Sequence, residues 1–206
     1  MAQQGSLDTR HKGMQVLKDL VKEANKVLDL GCGEGTRLNL ILSRRQQGTG
    51  AAISPTAINL GRKHYPRINF INADLEKIPI ESDSFNLVYA AYVLEHLSDP
   101  EQVLREAMRL MKKRGFLVLI APNYGSPNRA SPPYKGARIK KLLTGIAGDF
   151  IRIFKKQKRL SWETVEPIAS REKYDVDWDT TVEPYIGSLI NYLEGKGLVI
   201  KEAFSC

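Results

Sequence analysis

Three glycines, Gly31, Gly33 and Gly35, stand in the run VLDLGCGEG, directly after a short apolar stretch. Glycines at the tip of a strand let the chain turn tightly and bring main-chain N–H groups close to a ligand. The chemistry they suit is the holding of a nucleotide-like cofactor. The dinucleotide pattern G-x-G-x-x-G would need its third glycine at residue 36, which is Thr36. The G-x-G-x-G spacing therefore argues against a nicotinamide or flavin dinucleotide. Three histidines are candidates for proton transfer. His96, in YVLEHL, follows an apolar strand-like run. His11 lies in an N-terminal arm that could fold over a site, and His64 ends a helical pattern and reads as solvated. Glu95 reads equally well as structural. Asp175, Asp177 and Asp179 alternate, which puts them on one face of an extended segment. They read as a solvated edge, and no metal is expected.

The elements that would position these residues follow from periodicity. KVLDL (Lys26 to Leu30) has the length and flanks of a buried strand and runs into the glycines. TRLNLILSRR has helical spacing at Leu38, Ile41 and Leu42. GAAIS gives a second strand, and SPTAINLGRKH a helix with Ser54 as N-cap and Pro55 at its first position. INFIN (Ile68 to Asn72) and FNLVYAA (Phe85 to Ala91) give strands three and four. DPEQVLREAMRLMKK is an amphipathic helix capped by Asp99, with Val103, Leu104, Ala107, Met108 and Met111 on its inner face. GFLVLIA is a fifth strand. After a Pro- and Gly-rich loop, YIGSLINYLEGKG gives a helix and LVIKEAF a last strand. Apolar strands alternating with helices predict an α/β fold, a Rossmann-like, doubly wound and mostly parallel sheet covered on both faces. One domain over residues 1–206 is expected, with an insertion at 122–181 after strand five. In such sheets ligands sit beyond the carboxyl ends of the strands, near the switch in strand order.

The chain has 206 residues and a formal net charge of +8. The charge is not spread evenly. From Tyr134 to Leu160 there are nine basic residues and one acid, Asp149, so this segment carries the whole net charge. A local patch of this kind speaks of a partner and not of the fold. No apolar run is long enough to span a bilayer, and the N-terminus MAQQGSLDTRHKG lacks a signal-peptide core, which predicts a cytoplasmic protein. Two cysteines, Cys32 and Cys206, make no framework for disulfides or structural zinc.

In its motifs the chain resembles the class I S-adenosylmethionine-dependent methyltransferases, of the broad methyltransferase-11 type. VLDLGCGEG looks like their first motif, INADLEKIPIESDSFNLV like the segment that holds the adenine, and YVLEHLSDPEQVLREAMRLMKKRGFLVLIAPN like the helix and strand that follow. These runs stand in the family's order from about Lys26 to Asn123. The resemblance implies S-adenosylmethionine as cofactor. It places Asp29 and the backbone of Gly31 at the amino-acid end, with Cys32 and Gly33 lining the loop. Asp74 would accept from the adenine amino group, with the main chain of Leu75 beside it, and Ala90 would offer its carbonyl to the methionine ammonium. Ala52 and Ile53 would sit at the ribose. The chain departs from the family here: where an acid usually grips both ribose hydroxyls, it has Ala52. Loss of a charge-assisted hydrogen bond of about 1.5–3 kcal/mol would weaken the cofactor roughly ten- to a hundredfold. The implied function is methyl transfer to a small-molecule or lipid-linked acceptor, with His96 or His11 as candidate bases. The alternative is a catalytically impaired, methyltransferase-like binding module.

The run ARIKKLLTGIAGDFIRIFKK adds a basic amphipathic helix over 138–156, weakened by Gly145 and Gly148. Its sequence suits a lid over the acceptor, or a helix lying on an anionic membrane that would make the protein peripheral. Nucleic acid is disfavoured, because stacking aromatics are not interleaved with the charges.

Overall fold

The computed structural model describes residues 11–154, 159–168 and 177–205. It divides into two compact units, one of residues up to Val93 with Gln102–Ile120, the other of Leu94–Glu101 with the residues from Ala121 onward.

The first unit is built on a five-stranded, wholly parallel sheet: β1 (Lys26–Leu30), β2 (Gln47–Ala52), β3 (Asn69–Asn72), β4 (Phe85–Ala91) and β5 (Met111–Ile120), in the order β3-β2-β1-β4-β5. The order reverses between β1 and β4, so the switch point lies where the glycine run leaves β1. Register pairs Leu30 with Ala51 on one side and with Ala90 on the other. Helices α1 (Lys12–Glu23), α2 (Thr36–Ile41), α3 (Pro55–His64) and residues from Gln102 onward of α4 (Pro100–Leu110) complete the unit. Ser54 caps α3 as expected, its Oγ accepting from Ala57 N at 3.3 Å, with Pro55 at the first position. The core joins Met14, Leu17 and Val21 of α1 to Leu38, Ile41, Ile58 and Phe70. Each such side chain fully buried contributes roughly 1.5–3 kcal/mol.

Two expectations are corrected. The helix read as running to Lys113 stops at Leu110, and Met111 already pairs with Phe85. The reason is a stop supplied by the neighbouring loop: Asp83 N donates to Arg109 O at 3.0 Å and Ser84 N to Leu110 O at 2.9 Å. These bonds take carbonyls that a longer helix would use. LVIKEAF, read as a last strand, makes no ladder, and Val199 within it is exposed. Strand-like composition does not make a strand without an edge to pair with.

In the second unit a 3-10 turn (Leu94–His96) precedes α4. Beyond β5 come α5 (Arg138–Phe154), the antiparallel pair β6 (Glu163–Thr164) and β7 (Val182–Glu183), and α6 (Ile186–Gly195). The expected helix over 138–156 is thus present to Phe154, and its last two residues lie outside the described ones, as does Asp175. Among the described residues no helix is long and apolar enough to cross a membrane.

Candidate functional site

Gly31, Gly33 and Gly35 all have positive φ, at 74°, 55° and 83°. A Cβ on Gly31 would meet Val93 at 2.5 Å and one on Gly35 would meet Phe70 at 2.5 Å. Those two positions are closed by packing as well as by conformation. Gly33 differs: a Cβ there would meet nothing within 4 Å. The loop therefore keeps an open face at Gly33 while its ends are locked. Gly31 N and Cys32 N both donate to Ala51 O, at 2.8 and 3.1 Å, and Gly35 N donates to Cys32 O at 2.9 Å.

Asp29, the last acid before the loop, is fully buried; neither carboxylate oxygen meets full hydrogen-bond geometry, and the buried Tyr89 hydroxyl is the neighbouring side chain that helps hold its carboxyl down. Burial pushes its carboxyl up to about 6, against the opposing charge of Arg37. Sequence reasoning missed Arg37. Its Nη1 donates to Ala91 O at 3.0 Å, and its guanidinium lies 5.7 Å from the centre of the Tyr92 ring. Tyr92 itself has φ 58°, a conformation that is uncommon for a bulky residue and concentrates at functional sites. Cys32 turns inward: its Sγ donates to Gly33 O at 3.3 Å and lies where a Cβ on Gly50 would fall. Burial, and then the nearby Asp29, hold its thiol well above the usual range, so it is an inert packing group.

The other residues named from the sequence fall as follows. Ala52 ends β2 among the core residues, its carbonyl accepting from Ala73 N at 3.1 Å and Asn72 Nδ2 at 3.0 Å. Ile53 is exposed beyond it. Asp74 is exposed, and its Oδ1 accepts from Glu76 N at 3.0 Å, a local turn that braces the segment. Leu75 is buried. That segment is pinned from α4: Glu106 Oε1 accepts from Ile78 N at 2.7 Å, and Arg109 donates to both Glu106 oxygens and to the carbonyls of Ile78 and Ile80. Ala90 is fully buried in β4, paired to Leu30 and Leu119.

The candidate bases are engaged at Nδ1. His11 is the N-cap of α1, accepting from Gly13 N at 3.2 Å. The helix itself had a sequence signal, Met14, Leu17 and Val21 at three- and four-residue spacing. His96, in the second unit, has Nδ1 3.3 Å from Asp179 O and 3.4 Å from Asp179 Oδ1. Beside it Glu95 is 1% exposed, and burial pushes its carboxyl up to about 7, with its own backbone N–H and His96 opposing and Asp177 and Asp179 adding. Tyr124 Oη donates to Asp177 Oδ2.

The basic segment is not uniform. Ile139, Leu143, Ile146 and Phe150 of α5 form one stripe at helical spacing and are 75%, 63%, 56% and 66% exposed. Lys140 is exposed beside it, whereas Lys141 is buried. Lys141 Nζ donates to Glu183 Oε2 and, at 2.9 Å, to Tyr124 O, and lies 4.4 Å from the centre of the Tyr134 ring. Glu183 Oε1 also accepts from Ser131 N and Oγ at 2.7 and 2.9 Å. Lys141 is therefore a structural ion-pair member, unlike the exposed Lys140 beside it.

Part of the chain is similar to known proteins. A family profile described as a methyltransferase domain matches residues 28–119. A Mycobacterium tuberculosis protein assigned as an S-adenosylmethionine-dependent methyltransferase is 34% identical over 111 residues, 53% of this chain and 40% of its own length. Demethylmenaquinone methyltransferase of Chlamydia pneumoniae is 25% identical over 138 residues, 65% of this chain and 59% of its own. A Bacillus halodurans structure described as a candidate methyltransferase superposes with a TM-score of 0.58, at 18% identity, over 91% of this chain and 71% of that one. It supports the fold. The chain spans about two fifths of the length of the first curated relatives it matches.

Proposed function

We propose that the chain is an S-adenosylmethionine-dependent methyltransferase acting on a lipid-linked acceptor, a reading supported by the match of residues 28–119 to a methyltransferase-domain profile. The observation that carries the cofactor half is Asp29, a buried carboxylate that Tyr89 and Arg37 satisfy only in part, at the base of a glycine loop that is open at Gly33. A buried acid satisfied only in part costs free energy, and a ligand donor is what would repay it. S-adenosylmethionine, when bound, supplies a methyl on a sulfonium sulfur that transfers by in-line displacement. The chain's part is to hold and align. Asp29 would accept from the amino-acid end, Gly31 and Gly33 would let the main chain approach, and the carbonyl of Ala90 would be offered to the ammonium. Asp74 and the main chain of Leu75 would take the adenine, in a segment that Glu106 and Arg109 keep in place. A base is needed only for a protonated acceptor. His96 Nδ1 faces a carbonyl, which leaves Nε2 as the lone pair of a base, whereas His11 Nδ1 accepts from Gly13 N, so its proton sits on Nε2 and it would serve only as a donor.

Ala52 is the observation that favours the second reading, an impaired binding module. If the domain binds cofactor without the ribose acid, Ala52→Asp should tighten S-adenosylhomocysteine roughly tenfold or more, by restoring a charge-assisted hydrogen bond. Calorimetry reads it directly. Unchanged or weaker affinity would mean that the ribose is held elsewhere or that Ala52 does not face it.

The lipid half of the proposal rests on α5. An exposed apolar stripe flanked by Lys and Arg is the pattern of a helix that lies in an anionic membrane surface, where each basic side chain contributes about 1 kcal/mol. A lid would bury the same stripe. The chain should co-sediment with phosphatidylserine vesicles, less so at high salt, and poorly with neutral ones. Arg138→Gln with Lys140→Gln should weaken that binding severalfold, and Ile146→Glu should abolish it. Lys141 is left unchanged because its burial would confound the result. Equal sedimentation of all variants, or none, would remove the membrane reading.

A further inference from the structure

We infer that Glu95, His96 and Asp177 bind one divalent first-row transition ion. Their ligand atoms, one from each, all lie within 4.8 Å of one another. The turn that carries Glu95 and His96 is tied to the segment before β7 by three hydrogen bonds. Thr181 N and Oγ1 donate to Glu95 O at 2.8 and 3.2 Å, and Thr181 Oγ1 to Leu97 O at 2.9 Å. On that segment Thr180 Oγ1 donates to Asp177 O at 2.8 Å. The cluster is thus held by backbone, not by chance rotamers.

An acidic cluster alone would carry nothing. The independent observation is Glu95, 1% exposed, whose Oε2 has no hydrogen-bond partner although it sits among further acids. A buried carboxylate in that company either keeps its proton or takes up a positive group. His96 has the geometry of a ligand: its Nδ1 faces the Asp179 carbonyl at 3.3 Å, while Nε2 lies 3.8 Å from Glu95 Oε1. A histidine that donates through one ring nitrogen to a carbonyl presents the other as a lone pair, the usual arrangement of a metal-bound imidazole. Tyr124 Oη, donating to Asp177 Oδ2, orients the second carboxylate in the same way. Two carboxylates and an imidazole suit Zn²⁺ or Mn²⁺ better than Mg²⁺ or Ca²⁺, which take oxygen donors. With metal–ligand bonds of about 2.0–2.2 Å, donors around one ion lie about 3–4 Å apart, so the three groups need to close by about an ångström. The expectation from the sequence was no metal, because it weighed only the aspartates that alternate along the chain. The site joins residues more than eighty positions apart, and an ion on His96 Nε2 would take the lone pair that the methyl-transfer proposal offers to a base, so the two roles of His96 exclude each other.

The test is calorimetric titration of the full chain, stripped with a chelator, with ZnCl₂, and the same titration followed by electron paramagnetic resonance with MnCl₂. The expected result is one equivalent bound in the micromolar range or tighter, with a rise in melting temperature. His96→Ala and Asp177→Asn should each weaken binding at least tenfold, and His64→Ala should leave it unchanged. Glu95→Gln should abolish it; if that buried substitution does not fold, the two more accessible variants decide. No stoichiometric binding of either ion, or equal binding by wild type, His96→Ala and Asp177→Asn, would overturn the inference.

Discussion

Asp29→Asn is expected to make the protein more stable at pH 8 and to weaken its hold on S-adenosylhomocysteine. Burial raises the Asp29 carboxyl from 3.8 to about 6. Between those values the folded chain keeps a proton that the unfolded chain has lost, so stability falls as pH rises through the window and is lowest above it. At one pKa unit per about 1.4 kcal/mol, the penalty at pH 8 is about 3 kcal/mol. Asn removes the charge but leaves amide hydrogens to satisfy, so a gain of about 1–3 kcal/mol is expected at pH 8 and none below pH 4. For a chain of this size that is roughly 2–4 °C of melting temperature per kcal/mol. Binding moves the other way: loss of a charged acceptor should cost about 1.5–3 kcal/mol, ten- to a hundredfold in affinity. Opposite signs in the two measurements identify a group kept for a ligand at the expense of the fold. A structural brace would lose both together.

The second large effect is in the other unit. Lys141→Met should destabilise the protein by about 3–5 kcal/mol, because it leaves Glu183 charged, buried and bereft of its cation. Lys141 is 7% exposed at its side chain and Glu183 not at all. Replacing both, as Lys141→Met with Glu183→Met, should recover part of the loss, since an apolar pair of similar volume can replace a buried ion pair. Recovery is incomplete because Ser131 N and Oγ lose their acceptor. Lys140→Met, on the neighbouring exposed residue, should shift stability by less than about 0.5 kcal/mol. Urea unfolding of the three variants measures all of this. A Lys141→Met protein as stable as wild type would mean that the pair does not exist in solution.

Much of the first unit was legible in the sequence. KVLDL and FNLVYAA are β1 and β4 to the residue, because buried parallel strands are written as mostly apolar runs between clear stops. Ser54 and Pro55 announced α3 by local chemistry alone. What failed was whatever depends on a distant partner. The stop after Leu110 is made by Asp83 and Ser84, which lie nearly thirty residues earlier. LVIKEAF had the composition of a strand but no edge to pair with. Lys141 looked like its basic neighbours because Glu183, which buries it, lies forty-two residues on. The loop glycines were legible as a set, yet not their division of labour: that Gly31 and Gly35 are closed by Val93 and Phe70 while Gly33 is open needs the packing. Asp29 and Glu95 could be named, but that each is buried with an oxygen short of full hydrogen-bond geometry could not. Burial of a single acid leaves no periodic trace.

The central claim is that the glycine loop and Asp29 hold S-adenosylmethionine. Titration calorimetry of the full chain with S-adenosylhomocysteine, beside NADH and beside Gly33→Val, tests it most directly. The expected result is a single site for S-adenosylhomocysteine, no heat with NADH, and loss of binding in Gly33→Val, whose side chain would fill the open face of the loop and whose β-branched carbon is strained at φ 55°. Absence of S-adenosylhomocysteine binding at millimolar concentration, or equal binding by Gly33→Val, would contradict it.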